Sequence, residues 1–194
     1  MRTAGKTARG RPLEAELSSR ILKSSLRLLA RSGFHDFRLD DVAAQCATSK
    51  QAVYRRWPSK SHLASAAVVD GLARVNDTTP DSGSAIADLT RVLENAIDAW
   101  QSTPLGGALR SLIGERSNKQ LAACLRKADA ERRKVLRAIL RRAEQKKEIK
   151  PLADVELAID MLLGGAWMRY LIDGRVPKQY AHQAVIAWLA GARY

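Results

Sequence analysis

The stretch "LDDVAAQCATSKQAVYRRWPSK", Leu39 to Lys60, contains two short apolar patterns, a small-residue break between them, and a basic, aromatic finish. The first pattern fits a helix over Asp40–Cys46. Ala47-Thr48 makes the break, and Ser49 can cap a second helix running to about Tyr54, because a serine hydroxyl accepts from the free amides of a helix start. Pro58 stops that helix. Two helices of about seven residues joined by a tight turn make a helix-turn-helix. Val42, Ala43 and Val53 are spaced to pack together, which turns Ser49, Lys50, Gln51, Tyr54 and Arg55 to the other side. That face carries hydroxyl, ammonium, amide, phenol and guanidinium groups, which read base edges in a major groove and hold phosphates. Lys60 opens the next helix, where a positive helix end and a lysine both favour a phosphate.

The surrounding sequence is helical in pattern. Upstream, Leu17, Ile21 and Leu28 share one face of a helix that starts near Pro12, with Gly33 as its αL stop. Downstream, Ser59 caps a fourth helix to about Val75. The polar run Asn76–Ser84, "NDTTPDSGS", reads as a linker. A stripe through Ile86, Leu89, Leu93, Ala96, Ile97 and Trp100 follows. Pro104-Leu105-Gly106-Gly107 reads as an interruption before a shorter helix to Glu115. A long helix over Asn118–Lys147, another over Leu152–Ile172, and a last one over Lys178–Ala192 complete about nine helices and no strands. β-branched and aromatic residues are sparse, which supports an all-α fold.

The chain has 194 residues and a formal net charge of +13. Residues 1–60 hold 13 Lys/Arg against 5 Asp/Glu, so the surplus concentrates there. Such a surplus suits a polyanionic partner, nucleic acid or an anionic surface. The N-terminal segment has no apolar run typical of a secretory signal, and no apolar stretch is long enough to span a bilayer. Cys46 and Cys124 lie in apolar helical contexts and read as small core residues, which fits a reducing cytoplasm. His35, His62 and His182 are too scattered for a metal site. A nucleophile elbow, a phosphate loop and paired catalytic carboxylates are absent. The expectation is therefore a non-enzyme without cofactor or metal.

The residues resemble the tetracycline-repressor (TetR) family of transcriptional regulators. The resemblance runs through "RILKSSLRLLARSGF" (Arg20–Phe34) and "LDDVAAQ", and is sharpest at "SKQAVYRRWPSK". It implies a DNA-binding set of Arg38, Ser49, Lys50, Gln51, Tyr54, Arg55, Arg56 and Lys60. There are three departures. Ala47 stands where the family usually has Gly, and an αL alanine costs about 1 kcal/mol. Gln51-Ala52 replaces a frequent Gly-Thr, and Arg38 replaces a capping Ser or Thr and is assigned to a phosphate instead. "DMLLGGAWMRYLIDGRVP" is similar to a segment of one large TetR subgroup. The resemblance implies a helix-turn-helix domain over residues 1–60 and an effector-binding, dimerising domain over 61–194. It also implies a homodimer through the last two long helices, a palindromic operator, and release by a small-molecule effector. Trp100, Leu109, Leu112, Ile113, Met161 and Trp167 are the pocket residues it suggests.

Other features keep two readings. Arg9 and Arg11 form either a minor-groove arm or an unordered tail. Trp57 reads as a core plug, and Trp100, Trp167, Met161 and Met168 as core packing on apolar faces. The basic series from Arg126 to Lys147 reads first as a solvated face; a second nucleic-acid surface or an anionic-effector site are its alternatives. The rival to sequence-specific regulation is a basic helical protein that coats nucleic acid or anionic surfaces without sequence preference. An enzyme with a helical pocket is the remaining rival.

Overall fold

A computed structural model describes residues 10–75, 78–115 and 117–192. They form nine α-helices, with no strand among the described residues: α1 (Gly10–Asp36), α2 (Leu39–Gln45), α3 (Lys50–Arg56), α4 (Lys60–Ala73), α5 (Ala85–Ser102), α6 (Pro104–Ile113), α7 (Lys119–Gln145), α8 (Val155–Asp173) and α9 (Tyr180–Ala192). The all-α expectation holds. Helix α1 begins at Gly10, ahead of Pro12, which still lies in a first turn where its missing N–H costs nothing. Gly33 does interrupt α1, but at φ 75°, ψ 172° rather than in αL. That mirror-extended region is open to glycine almost alone. The Arg9 arm lies outside the described residues, as do the Arg11 side chain and the start of the Asn76–Ser84 linker.

The chain forms two compact units: Met1–Gly71 with Gly107–Ala122, and Leu72–Gly106 with Ala123–Tyr194. In the first, α1 packs on α2 and α2 on α3. Ile21, Leu29, Phe37, Val42, Val53 and Leu63 are all but inaccessible to solvent. Each large apolar side chain so buried stabilises the unit by about 1.5–3 kcal/mol before entropy is subtracted. Cys46 is buried among them.

In the second unit, α5 packs against α8 and α9, which also pack on each other. Helix α5 buries Leu89, Val92, Leu93, Ala96 and Trp100 at intervals of three and four, as its stripe requires. Ser84 caps it by accepting from the Ala87 amide, and the Glu148 carboxylate accepts from the Ala85 amide at 2.8 Å. Asp88 on α5 is buried and charged. Its Oδ2 accepts from Arg142 at 2.6 Å and its Oδ1 from the Ser82 amide at 2.9 Å, while Arg142 also donates to the Pro80 carbonyl at 2.6 Å. Residues 80–84 are thus fastened to α5 and α7. Burial pushes the Asp88 carboxyl up, but the Ser82 and Arg142 hydrogen bonds outweigh it and hold the group below its usual range.

The expected break at Pro104–Gly107 is helix instead. Thr103 Oγ1 accepts from the Leu105 amide at 3.1 Å, and Pro104 takes the first helical position. The two glycines are there for proximity. A Cβ on Gly106 would stand 2.1 Å from the Trp100 carbonyl oxygen and 2.3 Å from the Tyr170 hydroxyl; one on Gly107 would stand 3.0 Å from the Ala30 Cβ.

Candidate nucleic-acid interface

Helix α2 ends in a Schellman turn. The Thr48 amide donates to the Ala43 carbonyl at 3.0 Å, and the Ala47 amide to the Ala44 carbonyl at 3.1 Å. The turn needs a positive φ, and Ala47 supplies it at 46°. Alanine is strained there, as the sequence implied. Two residues later Ser49 adopts extended geometry and its hydroxyl accepts from the Ala52 amide at 3.1 Å, starting α3.

Side chains of α1 hold this turn. Arg20 donates to the Cys46 carbonyl at 2.7 Å, and Ser24, itself buried, donates to Gln45 Oε1 at 2.7 Å. At the far end of α3, Arg56 donates to the Ala52 carbonyl at 3.0 Å and to Glu14 at 3.3 Å. Its side chain is 17% exposed. Arg56 therefore ties the end of α3 to α1, while its neighbours face outward. Arg20, Ser24 and Glu14 were missed as contributors. Ser24-Ser25, set between the apolar residues of α1 at core spacing, was the available signal.

The remaining predicted contacts divide by what they touch. Gln51, Tyr54 and Arg55 are exposed and make no hydrogen bond or ion pair among the described residues; Val53 between them is buried. Lys50 is exposed and donates to Asp40 at 2.6 Å, a hydrogen bond that raises its pKa. An exposed pair of this kind contributes little to folding and exchanges readily for a phosphate. Lys60 donates to the His35 carbonyl at 2.5 Å and sits 4.6 Å from the Phe34 ring centroid. Two of its three donors remain for another acceptor. Arg38 is exposed at the position before α2 and makes no capping bond. Trp57 ends α3 half-buried.

In the second unit, Trp100 and Trp167 meet edge to face with centroids 4.8 Å apart, and Tyr170 joins them at 5.5 Å from Trp167. Tyr170 is an aromatic partner that the sequence reading did not name. Met161 is not with them: it is 63% exposed on α8. The core assignment for Met161 and Met168 gives way here. Leu157, Met161, Met168 and Ile172 are all exposed, and their spacing, with Gly164 between, puts them on one face of α8. Leu109, Leu112 and Ile113 belong to the first unit, where Leu112 is buried and the other two half-buried. No group of His, Cys, Asp and Glu among the described residues could hold a metal, and no helix among them is long and apolar enough to cross a membrane.

A short helix capped by Ser49, preceded by a turn held from α1 and tied back at its end through Arg56, its buried side locked and its outer side amide, phenol and guanidinium, defines a helix-turn-helix DNA-binding unit. Residues 21–67 match the family described as bacterial regulatory proteins, tetR family, and residues 79–187 match the tetracyclin repressor-like C-terminal domain. The chain belongs to the TetR family of helix-turn-helix transcriptional regulators. It is 34% identical over 177 residues to an uncharacterized HTH-type transcriptional regulator of Mycobacterium tuberculosis, covering 90% of this chain and 84% of that one. Over 72 residues it is 39% identical to the DNA-binding transcriptional repressor TetR of Mycobacteroides abscessus, covering 37% and 38% of the two chains. The solved structure of the TetR family transcription regulator SCO0332 overlays with a TM-score of 0.67 at 31% identity, covering 92% of this chain and all of that one.

Proposed function

We propose that this regulator is a cytoplasmic repressor that acts as a homodimer on a palindromic operator and leaves it when a small molecule binds. Residues 1–60 form the DNA-binding domain and 61–194 the effector-binding and dimerising domain. Helix α3 enters the major groove. Gln51 and Tyr54 face base edges, while Lys50, Arg55, Arg38 and Lys60 hold phosphates and Ser49 serves as cap. Arg56 contributes through its tie to Glu14. The observation that carries this reading is the division of labour on α3: Gln51, Tyr54 and Arg55 are exposed and unbonded among the described residues, while α1 holds the turn before α3 through Arg20 and the end of α3 through Arg56.

Dimerisation is supported by the apolar face of α8, since exposed leucine, methionine and isoleucine on one helix face are costly in water unless covered. Two copies related by a two-fold axis place their recognition helices about 34–36 Å apart, or at a related spacing. The Trp100–Trp167–Tyr170 cluster supports an apolar or aromatic effector. Selection of bound sites from a random duplex pool tests the reading. Recovery of a palindrome with a specific-to-random affinity ratio of at least about 10³ is expected. Binding without sequence preference would return the protein to the class of nonspecific DNA coats.

A further inference from the structure

Helix α7 carries two kinds of cation. Arg132, Arg133, Arg137 and Arg142 are partly buried, and each is bound to carboxylates: Arg132 to Asp129, Arg133 to Asp129, Glu156 and Asp160, Arg137 to Glu156 at 2.5 Å, and Arg142 to Asp88. The Arg133, Arg137 and Arg142 pairs fasten α7 to α8 and α5, and together all of them consume the acidic residues nearby. Glu156 is held below its usual range chiefly by the Arg137 hydrogen bond.

The outer side of α7, with the turn that follows it, is different. From Arg126 to Lys150 the exposed residues are Arg126, Lys127, Ala130, Glu131, Lys134, Ala138, Arg141, Gln145, Lys146, Lys147 and Lys150. Seven are cations and one is a carboxylate. Glu131 is engaged by Lys134 at 2.7 Å and feels Lys127 beyond it. Arg126, Arg141, Lys146, Lys147 and Lys150 make no ion pair among the described residues. Lys127, Lys134 and Arg141 recur every seven residues. Seven residues fall about 20° short of two full turns, so these three form a row nearly parallel to the axis, about 10.5 Å apart. Ala130 and Ala138 lie between them, leaving room for a surface to come close to the backbone.

We infer that this outer face of α7 binds the phosphate backbone of duplex DNA, as a sequence-independent contact additional to α3. Charge complementarity selects a polyanion. None of the face's exposed residues is large and apolar, so it has nothing to insert into a lipid interface, which separates it from a membrane-binding helix. Lysine and arginine heads at this spacing match a row of phosphates. They offer no fixed donor geometry for a base edge, so the contact is to backbone.

The test measures affinity of the full-length protein for a random-sequence duplex of about 40 base pairs across salt concentrations. The variant Lys127→Gln/Lys134→Gln/Arg141→Gln is compared with Arg91→Gln/Arg175→Gln/Lys178→Gln, which removes equal charge from exposed positions elsewhere. Loss of three phosphate contacts makes the slope of log affinity against log salt shallower by about 2.7 in the α7 variant only. Equal change in both variants would show a bulk-charge effect and overturn the inference, as would no change in either. Preferential binding of the wild-type protein to vesicles rich in anionic lipid, lost in the α7 variant while the DNA slope stays fixed, would overturn it too. Circular dichroism and melting of each variant confirm that it is folded. The readout uses random DNA, so it is independent of whether a palindromic operator exists.

Discussion

Replacing Ala47 with Gly should stabilise the DNA-binding unit without altering what it binds. Ala47 sits at φ 46° as the left-handed residue of the Schellman turn. For an L-residue with a Cβ that conformation costs about 1–2 kcal/mol, and glycine escapes the cost. Against this, glycine adds unfolded-chain entropy worth about 0.4–1 kcal/mol. The balance is a net gain of about 0.5–1 kcal/mol. The backbone already occupies the conformation glycine prefers, so the Thr48 and Ala47 amide bonds persist and α3 keeps its orientation. Hydrogen exchange at those two amides should slow by a factor of about 2–5, the same free energy expressed as a local opening constant. Urea unfolding at fixed protein concentration should shift to higher midpoint with unchanged slope, and operator affinity should stay within about twofold. Faster exchange at Thr48, or a lower midpoint, would show that Ala47 is not strained and that the turn is held in another way.

Asp88→Asn should destabilise the second unit by about 2–4 kcal/mol, because it removes the buried carboxylate of Arg142 and leaves only the longer, exposed contact to Asp81 at 3.4 Å. The wild-type carboxyl titrates below its unfolded value, so its contribution is present above pH 4 and is lost as pH falls further; the acid limb of a stability profile should flatten in the variant. Gly106→Ala should be far more damaging than Gly165→Ala. At Gly106 the new methyl meets the Trp100 backbone oxygen, whereas at Gly165 it meets the movable end of the Tyr180 side chain at 2.3 Å. Differential thermal melting separates them, with a gap of at least about 2 kcal/mol expected. Met161→Lys/Ile172→Lys should yield monomers in sedimentation and weaken operator binding at least about 100-fold, while helicity is retained; a dimer of unchanged affinity would remove α8 from the interface.

The helices were readable because their signals are local. Ser49 and Ser84 cap where a serine should, and the α5 stripe at three- and four-residue spacing needs no knowledge of its partners. Pro104–Gly107 misled because proline and glycine announce a break when read locally. In the fold the proline starts a helix, and the glycines answer to the Trp100 carbonyl and Ala30, which are distant in sequence. The candidate site was legible as a set but not as a mechanism. Spacing placed Lys50, Gln51, Tyr54 and Arg55 on one side of a helix, whereas nothing in spacing shows that Arg56 turns back to Glu14, forty-two residues earlier. Apolar residues at helical spacing imply burial, so the sequence alone puts Met161 and Met168 in the core. The pattern does not say whether the covering surface comes from the same chain.

The arrangement around α3 bears on how such a regulator acquires new targets. Gln51, Tyr54 and Arg55 are exposed and make no hydrogen bond or ion pair among the described residues, and the residues that hold the turn and the end of α3 are elsewhere: Arg20, Ser24, Glu14 and Arg56. On the proposed reading, altering the outward trio would change the text being read without disturbing the reader's posture. Duplicated copies of this chain can therefore drift toward different operators through a few surface substitutions, each nearly neutral for folding. Lys50 joins them at little cost, since its pair with Asp40 is exposed and contributes little to folding.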